Sequence, residues 1–271
     1  MPVVATFSVI GDIVRQIGGD RVAVTILVPP DGDAHVYEPK PADLIAIRQA
    51  RVVVVNGLGM EGWMDRLVRA SGTKAEIVVA TRGVASRRMV EEGHATTDPH
   101  AWQDPRNGLI YASNVADGLS RADPAGAAVY RAGADRLSAA LRETDTWIAA
   151  QFAGIAPARR KIITSHDAFG YFGARYGIKF VGVQGISTDA EPSARDIAAL
   201  VAQIRRERIK AVFVENMTDP RVAAALAREA GASVGPTVYS DALSPPGGPA
   251  DTYLGMFRHN VPLFARAMAA N

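Results

Sequence analysis

The 271-residue chain contains no cysteine. That removes a disulfide framework, a thiolate metal site and a cysteine nucleophile together. Aromatic residues make up only 7% of the chain, so Ala, Val and Leu must fill most of any core. No apolar run approaches the roughly 18 residues that a membrane-spanning helix needs. Nor does one sign of charge dominate: the formal net charge is +2, and basic residues lie beside acidic ones, as in Arg205-Arg206-Glu207-Arg208. A nucleic-acid surface needs a concentrated basic face interleaved with aromatics, and the chain has none. No basic, apolar leader with a cleavage site precedes the first apolar run. The expectation is therefore either a cytoplasmic protein or a mature chain whose signal segment has been removed.

What is present is the 48% hydrophobic and 21% charged composition of a globular protein with a full core. The length allows one large or two modest domains. Apolar runs at 3–6, 22–28, 52–55 and 77–79 read as strands, with helices at 10–17, 41–49 and 61–70 between them. Near-continuous Val and Ile imply strands covered on both faces, hence parallel pairing with helical crossovers. The same rhythm returns with strands at 161–164, 179–183, 211–214 and 237–239 and helices at 169–176, 193–207, 220–230 and 252–269.

Between these two α/β halves, Asp123-Pro124 offers an N-cap followed by proline at the first helical position. From there Tyr130, Ala134, Leu137, Leu141, Thr144, Ile148 and Phe152 step by three or four, marking one helical face. About thirty residues at 1.5 Å each span roughly 45 Å, the length of a domain. The predicted organisation is an N-terminal lobe over 1–122, a linking helix over 123–155 and a C-terminal lobe over 156–271. A rigid spine suits that position better than an ordinary surface helix does.

Three of the five histidines fall where strands end. His35 follows the second strand in Asp31-Gly32-Asp33-Ala34-His35. His100 lies in Asp98-Pro99-His100-Ala101-Trp102, and His166 lies in Thr164-Ser165-His166-Asp167. Ligands of open parallel sheets bind outside the carboxyl ends of the strands. A lone histidine is usually a satisfied surface or core residue, but three in strand-exit loops from both halves point to a shared centre. Asp241, after the last predicted strand, supplies the oxygen donor that closes a tetrahedral cation site. His94 is placed in a polar loop and His259 on a late helix, both without a metal role.

Other motifs weigh less. Gly57-Leu58-Gly59-Met60-Glu61-Gly62 fits G-x-G-x-x-G, but it follows the third strand and no acid lies about twenty residues on. It reads as a tight strand-to-helix turn. Ser165-His166-Asp167 spells a hydrolase triad in letters, yet adjacent residues cannot converge on one another as triad members do. Glu91-Glu92-Gly93-His94 reads as a solvated loop in preference to a metal-capture loop.

Taken in order, Asp33-Ala34-His35 with Tyr37-Glu38-Pro39, the segment Asn56 through Trp63, Asp98-Pro99-His100-Ala101-Trp102, Ser165-His166-Asp167-Ala168-Phe169-Gly170-Tyr171-Phe172 and Tyr239-Ser240-Asp241 resemble the zinc/manganese substrate-binding proteins of ABC transporters. The resemblance runs over essentially the whole chain. It implies two lobes, each with a four-stranded, mainly parallel sheet flanked by helices, joined by one long helix. It implies a divalent ion held by His35, His100, His166 and Asp241, a monomer that hands the ion to a membrane permease, and a periplasmic or other extracytoplasmic location reached by a signal peptide.

Zn²⁺ is favoured over Mn²⁺, because imidazole-rich four-coordinate sites suit zinc and oxygen-rich six-coordinate sites suit manganese. Manganese-tuned members of the resembled family carry Glu where this chain has His166. Against that, zinc-specific members often carry a long His- and Asp-rich loop, whereas here residues 84–97 are few and hold only His94. The alternative of another class is a zinc-dependent hydrolase or hydratase using Asp241 as base, although no H-E-x-x-H is present. An adhesin built on the same scaffold would leave no separate signature. Binding is expected to order loops with a small tilt between lobes, and to weaken below about pH 6, where free imidazoles protonate. Asp98, Asp104 and Glu38 are candidate partners for the second ring nitrogens.

Overall fold

The computed structural model describes residues 1–91, 94–189 and 193–271. Glu92 and Gly93, in the segment read as a solvated loop, lie outside the described residues. The first half runs β1 (Pro2–Phe7), α1 (Ser8–Gly18), β2 (Ala23–Val28), α2 (Pro41–Gln49), β3 (Val52–Val55), α3 (Met64–Ser71) and β4 (Glu76–Val79). A hairpin, β5 (Arg88–Glu91) and β6 (His94–Thr97), leads into α4 (Pro105–Ala122) and the long α5 (Ala127–Phe152). The second half runs β7 (Lys161–Thr164), α6 (Gly170–Tyr176), β8 (Lys179–Gly182), α7 (Ala194–Glu207), β9 (Ala211–Phe213), α8 (Pro220–Ala230), β10 (Ser233–Val234) and α9 (Tyr253–Ala270).

Each half builds a four-stranded sheet, in the orders β2-β1-β3-β4 and β8-β7-β9-β10, so the second repeats the topology of the first. Every pairing in the two sheets is parallel. The physical cause is the one expected: β3 is four consecutive buried valines, a strand with no solvent face. Among the described residues no helix is long and apolar enough to cross a membrane.

The long helix begins later than expected. Residues Pro124–Gly126 form a 3₁₀ turn, and the α-helix proper has 26 residues, about 39 Å at 1.5 Å per residue. Asp123 does not cap it, because its Oδ2 is taken by Arg21 Nη2 at 2.8 Å and the Tyr130 hydroxyl at 2.6 Å. The buried face is the predicted one with Gly133 added. At Gly133 α5 crosses the end of α1, and a Cβ there would lie 2.3 Å from the Ile17 carbonyl oxygen. A backbone carbonyl inside a helix cannot step aside. Gly133→Ala is therefore expected to destabilise the protein by about 1–3 kcal/mol despite alanine's better helix propensity. Urea denaturation checks this, and a variant as stable as the parent would contradict the close approach.

Helix α4, the hairpin strands β5 and β6, and the fourth strand of the second sheet differ from the sequence expectation. Helix α4 was not foreseen, though Asp104 caps it through the Arg106 amide and Pro105 opens it. His94 begins a strand, not a polar loop. The fourth strand of the second sheet is Ser233–Val234, whereas the expected strand at 237–239 makes only a single bridge, Val238 to Glu215. Pro236 has no N–H to donate, and both backbone groups of Tyr239 are taken by the Asn260 side chain, at 3.0 and 2.6 Å.

One apolar core joins the first sheet to α5, α6 and α9, and a smaller one lies under α7 and α8. At the amino-terminal edge of the first sheet, Arg48, Arg51, Lys74 and Arg121 line a cleft where α2, α3 and α4 end. Cations there meet the partial negative charge of helix C-termini.

Candidate metal centre

The carboxyl ends of both sheets point at one place. His35 follows β2, His100 follows β6, His166 leaves β7 and Asp241 follows the Val238 bridge. The structure brings all four together, with one ligand atom from each lying within 4.8 Å of all the others. His100, His166 and Asp241 have no solvent exposure, and the His35 side chain has 5%. His35 is the outermost of the four.

The distances are those of a coordination shell. His35 Nε2 to His100 Nε2 is 3.2 Å, and His100 Nε2 to His166 Nε2 is 3.4 Å. Asp241 Oδ2 lies 3.1, 3.5 and 3.2 Å from the Nε2 atoms of His35, His100 and His166. A tetrahedron with bonds of about 2.0 Å has edges of about 3.3 Å. Apart from these imidazoles, neither carboxylate oxygen of Asp241 meets a hydrogen-bond donor among the described residues. A buried carboxylate left this way is costly unless a cation satisfies it.

Two rings are aimed from behind. His100 Nδ1 is 2.9 Å from Asp98 Oδ1, which also accepts the His100 amide at 3.0 Å. His166 Nδ1 is 2.5 Å from Glu215 Oε2, a charge contact without hydrogen-bond alignment, and Glu215 Oε1 accepts the His166 amide at 2.8 Å and the Ser165 hydroxyl at 3.0 Å. A carboxylate on Nδ1 keeps the proton there and turns the Nε2 lone pair to the centre. Of the partners proposed from sequence, Asp98 serves, while Asp104 caps α4. Glu215 was missed, although an acid directly after the strand at 211–214 was a readable signal.

The electrostatics follow. Burial alone pushes the His100 imidazolium down, but Asp241 and Asp98 outweigh it and hold its pKa up at about 9. Burial likewise opposes the charge on His166, and Glu215 and Asp241 overcome it and push that pKa up. Burial raises the Asp241 carboxyl, yet His100 and His166 hold it well below the usual carboxylate range.

The halves brace each other across the centre. The Thr188 hydroxyl donates to Asp33 Oδ2 at 2.6 Å, and Asp33 Oδ1 accepts the His35 amide at 2.9 Å. Asn216 Nδ2 donates to Asp31 Oδ1 at 2.7 Å. Leu243 N likewise donates to Ser8 Oγ at 2.9 Å, and in the other direction Asp31 N donates to the Leu243 carbonyl at 3.1 Å.

The distractors resolve locally. The G-x-G-x-x-G turn has positive φ at Gly57, Leu58 and Gly59. Its amides are filled by the protein's own buried carboxylate, since Glu61 accepts Asn56 N at 2.7 Å and Gly57 N at 3.1 Å. Ser165 turns to Glu215 and the Asp167 amide to the Gly185 carbonyl, so the letters Ser165-His166-Asp167 form no triad. His259 Nε2 meets the Thr237 carbonyl.

Four such donors converging between two parallel sheets make a candidate site for one divalent cation. The chain belongs to the family described as zinc-uptake complex component A, periplasmic (ZnuA), which matches residues 3–267. A relative from Halalkalibacterium halodurans named manganese-binding lipoprotein MntA is 34% identical, covering 99% of this chain and 89% of its own length. The periplasmic zinc-binding protein TroA from Treponema pallidum superposes with a TM-score of 0.92 at 27% identity, over 98% of each chain. A manganese-bound periplasmic metal-binding protein from Candidatus Liberibacter asiaticus does so with a TM-score of 0.88 at 30% identity, again over 98% of each. These are solute-binding transport proteins and not enzymes, and the same holds for this chain.

Proposed function

We propose that the protein captures Zn²⁺ between His35, His100, His166 and Asp241, outside the cytoplasmic membrane, and delivers it to the permease of an ABC importer. The ion is cargo. The observation that carries this reading is the donor set itself: three imidazole nitrogens and one carboxylate oxygen, with five of their six separations near the edge length of a tetrahedron and all within 4.8 Å. Borderline-soft, four-coordinate sites of this kind suit zinc, while manganese wants more oxygen and more ligands. Residues 1–122 and 156–271 act as the two lobes and 123–155 as the link between them. Asp98, Glu215 and Asp241 set three carboxylates against the two positive charges of the ion. The extracytoplasmic location is supported by the family description and by the lipoprotein relative.

A second reading, manganese as cargo, is favoured by the manganese-binding relative and the manganese-bound structure. It would use both Asp241 oxygens, each of which lacks another donor among the described residues. Elemental analysis of the purified protein followed by a competitive titration decides between them. Zinc is expected to displace manganese with a preference of at least about a hundredfold, as the order of divalent affinities and the nitrogen-rich set require. Equal affinities, or manganese retained against zinc, would overturn the zinc reading.

A further inference from the structure

Asp241 follows the second sheet, yet the peptide just before it is held by the first half. The Ser240 carbonyl accepts the Trp102 indole N–H at 2.9 Å and the Gln103 side-chain N–H at 3.0 Å. Both donors sit in the 3₁₀ turn Ala101–Gln103, directly after His100. Trp102 has a second task, since its ring packs 5.1 Å from Phe7 and 5.3 Å from His100. Gln103 is 1% exposed. A buried amide pays a desolvation cost that methionine or leucine of similar bulk would avoid, so its hydrogen bond to Ser240 is what distinguishes glutamine here. Because, among the described residues, no side-chain donor beyond the imidazoles orients the Asp241 carboxylate, its direction is set through its own backbone.

We infer that Gln103 is a positioning residue for Asp241: by anchoring the Ser240 carbonyl it aims the carboxylate at the imidazoles before the ion arrives. One turn of the first half thus bears one ligand, His100, and directs another. The inference rests on the reading of Asp241 as a metal ligand. Pre-aiming lowers the ordering cost of binding, and residues that orient ligands are typically worth 10- to 100-fold in metal affinity.

The test uses the full chain with Gln103→Met, which keeps length and bulk but removes the amide, alongside Asp241→Ala and the double variant. Zn²⁺ affinity is measured by chelator competition, and Co²⁺ loading is followed by its visible d–d absorption. Gln103→Met is expected to bind Zn²⁺ about tenfold or more weakly and to show an altered Co²⁺ spectrum, while the metal-free melting temperature stays within a few degrees of the parent. In the Asp241→Ala background the same change is expected to have no further effect, because contacts that act through one group are not additive. Unchanged affinity and spectrum in Gln103→Met, beside a weakened Asp241→Ala, would overturn the positioning role alone. An equal loss in both backgrounds would overturn it too. Full affinity in Asp241→Ala overturns the underlying ligand reading, and the role of Gln103 with it. Gln103→Leu serves as the second variant should methionine compromise folding.

Discussion

Zinc binding to the Asp241→Ala variant is expected to be weaker by two to three orders of magnitude. Structural zinc sites are worth on the order of 10–16 kcal/mol with four donors, so one donor carries about 2.5–4 kcal/mol. Asp241 should lie at the upper end, as its Oδ2 faces all three imidazoles and it is the only carboxylate among the four converging groups. Chelator-competition titration measures the loss. Thermal melting gives an independent check, since an ion that binds only the native state raises its stability in proportion to ln(1 + [L]/Kd). The parent should gain a clear rise in Tm with micromolar zinc, and the variant should gain little. Parent-like affinity in the variant would remove Asp241 from the centre.

The second large effect is on pH. With its pKa up at about 9, His100 holds a proton in the metal-free protein at neutral pH, and His166 is shifted the same way. A protonated imidazole cannot ligate, so the incoming ion must displace that proton. The sign follows: affinity climbs as pH rises toward 9 and falls as pH drops. With about two protons displaced, each unit of pH below neutrality is expected to weaken binding between ten- and a hundredfold. Ordinary imidazoles placed the onset near pH 6. The carboxylates behind and between the rings move it upward. Calorimetry in buffers of different ionisation enthalpy counts the released protons directly, with about two expected at pH 7. A flat affinity between pH 6 and 9 would contradict the buried ion-pair network.

The periodicity of the chain carried the fold a long way. Runs such as Val52 to Val55 have no solvent face and announce a parallel sheet, and the face from Tyr130 to Phe152 announces the long helix. His35, His166 and Asp241 were legible because each follows an apolar run, where parallel topology delivers side chains to one edge. His100 instead follows the polar segment His94–Thr97 and was legible from its Asp98-Pro99-His100-Ala101-Trp102 motif. Less legible were features that depend on a partner far along the chain. Asp123 looks like a cap until Arg21 and Tyr130 claim it. Residues 237–239 look like a strand until Asn260 takes the backbone of Tyr239. Glu215 is one acid among many until it meets His166.

The sequence by itself determined the two α/β halves, their long connecting helix and the identity of three imidazoles and a carboxylate, because those follow from local periodicity and from strand-end position. Only the tertiary structure decided how the four are held: which carboxylate stands behind which ring, that the Asp241 loop is anchored by the first half through Gln103 and Trp102, and how far the imidazole protons are stabilised. The physical reason is range. Hydrophobic period is written in neighbouring residues, whereas hydrogen bonds and buried charge pairs act over a few ångströms of space between groups as distant in the chain as 103 and 240.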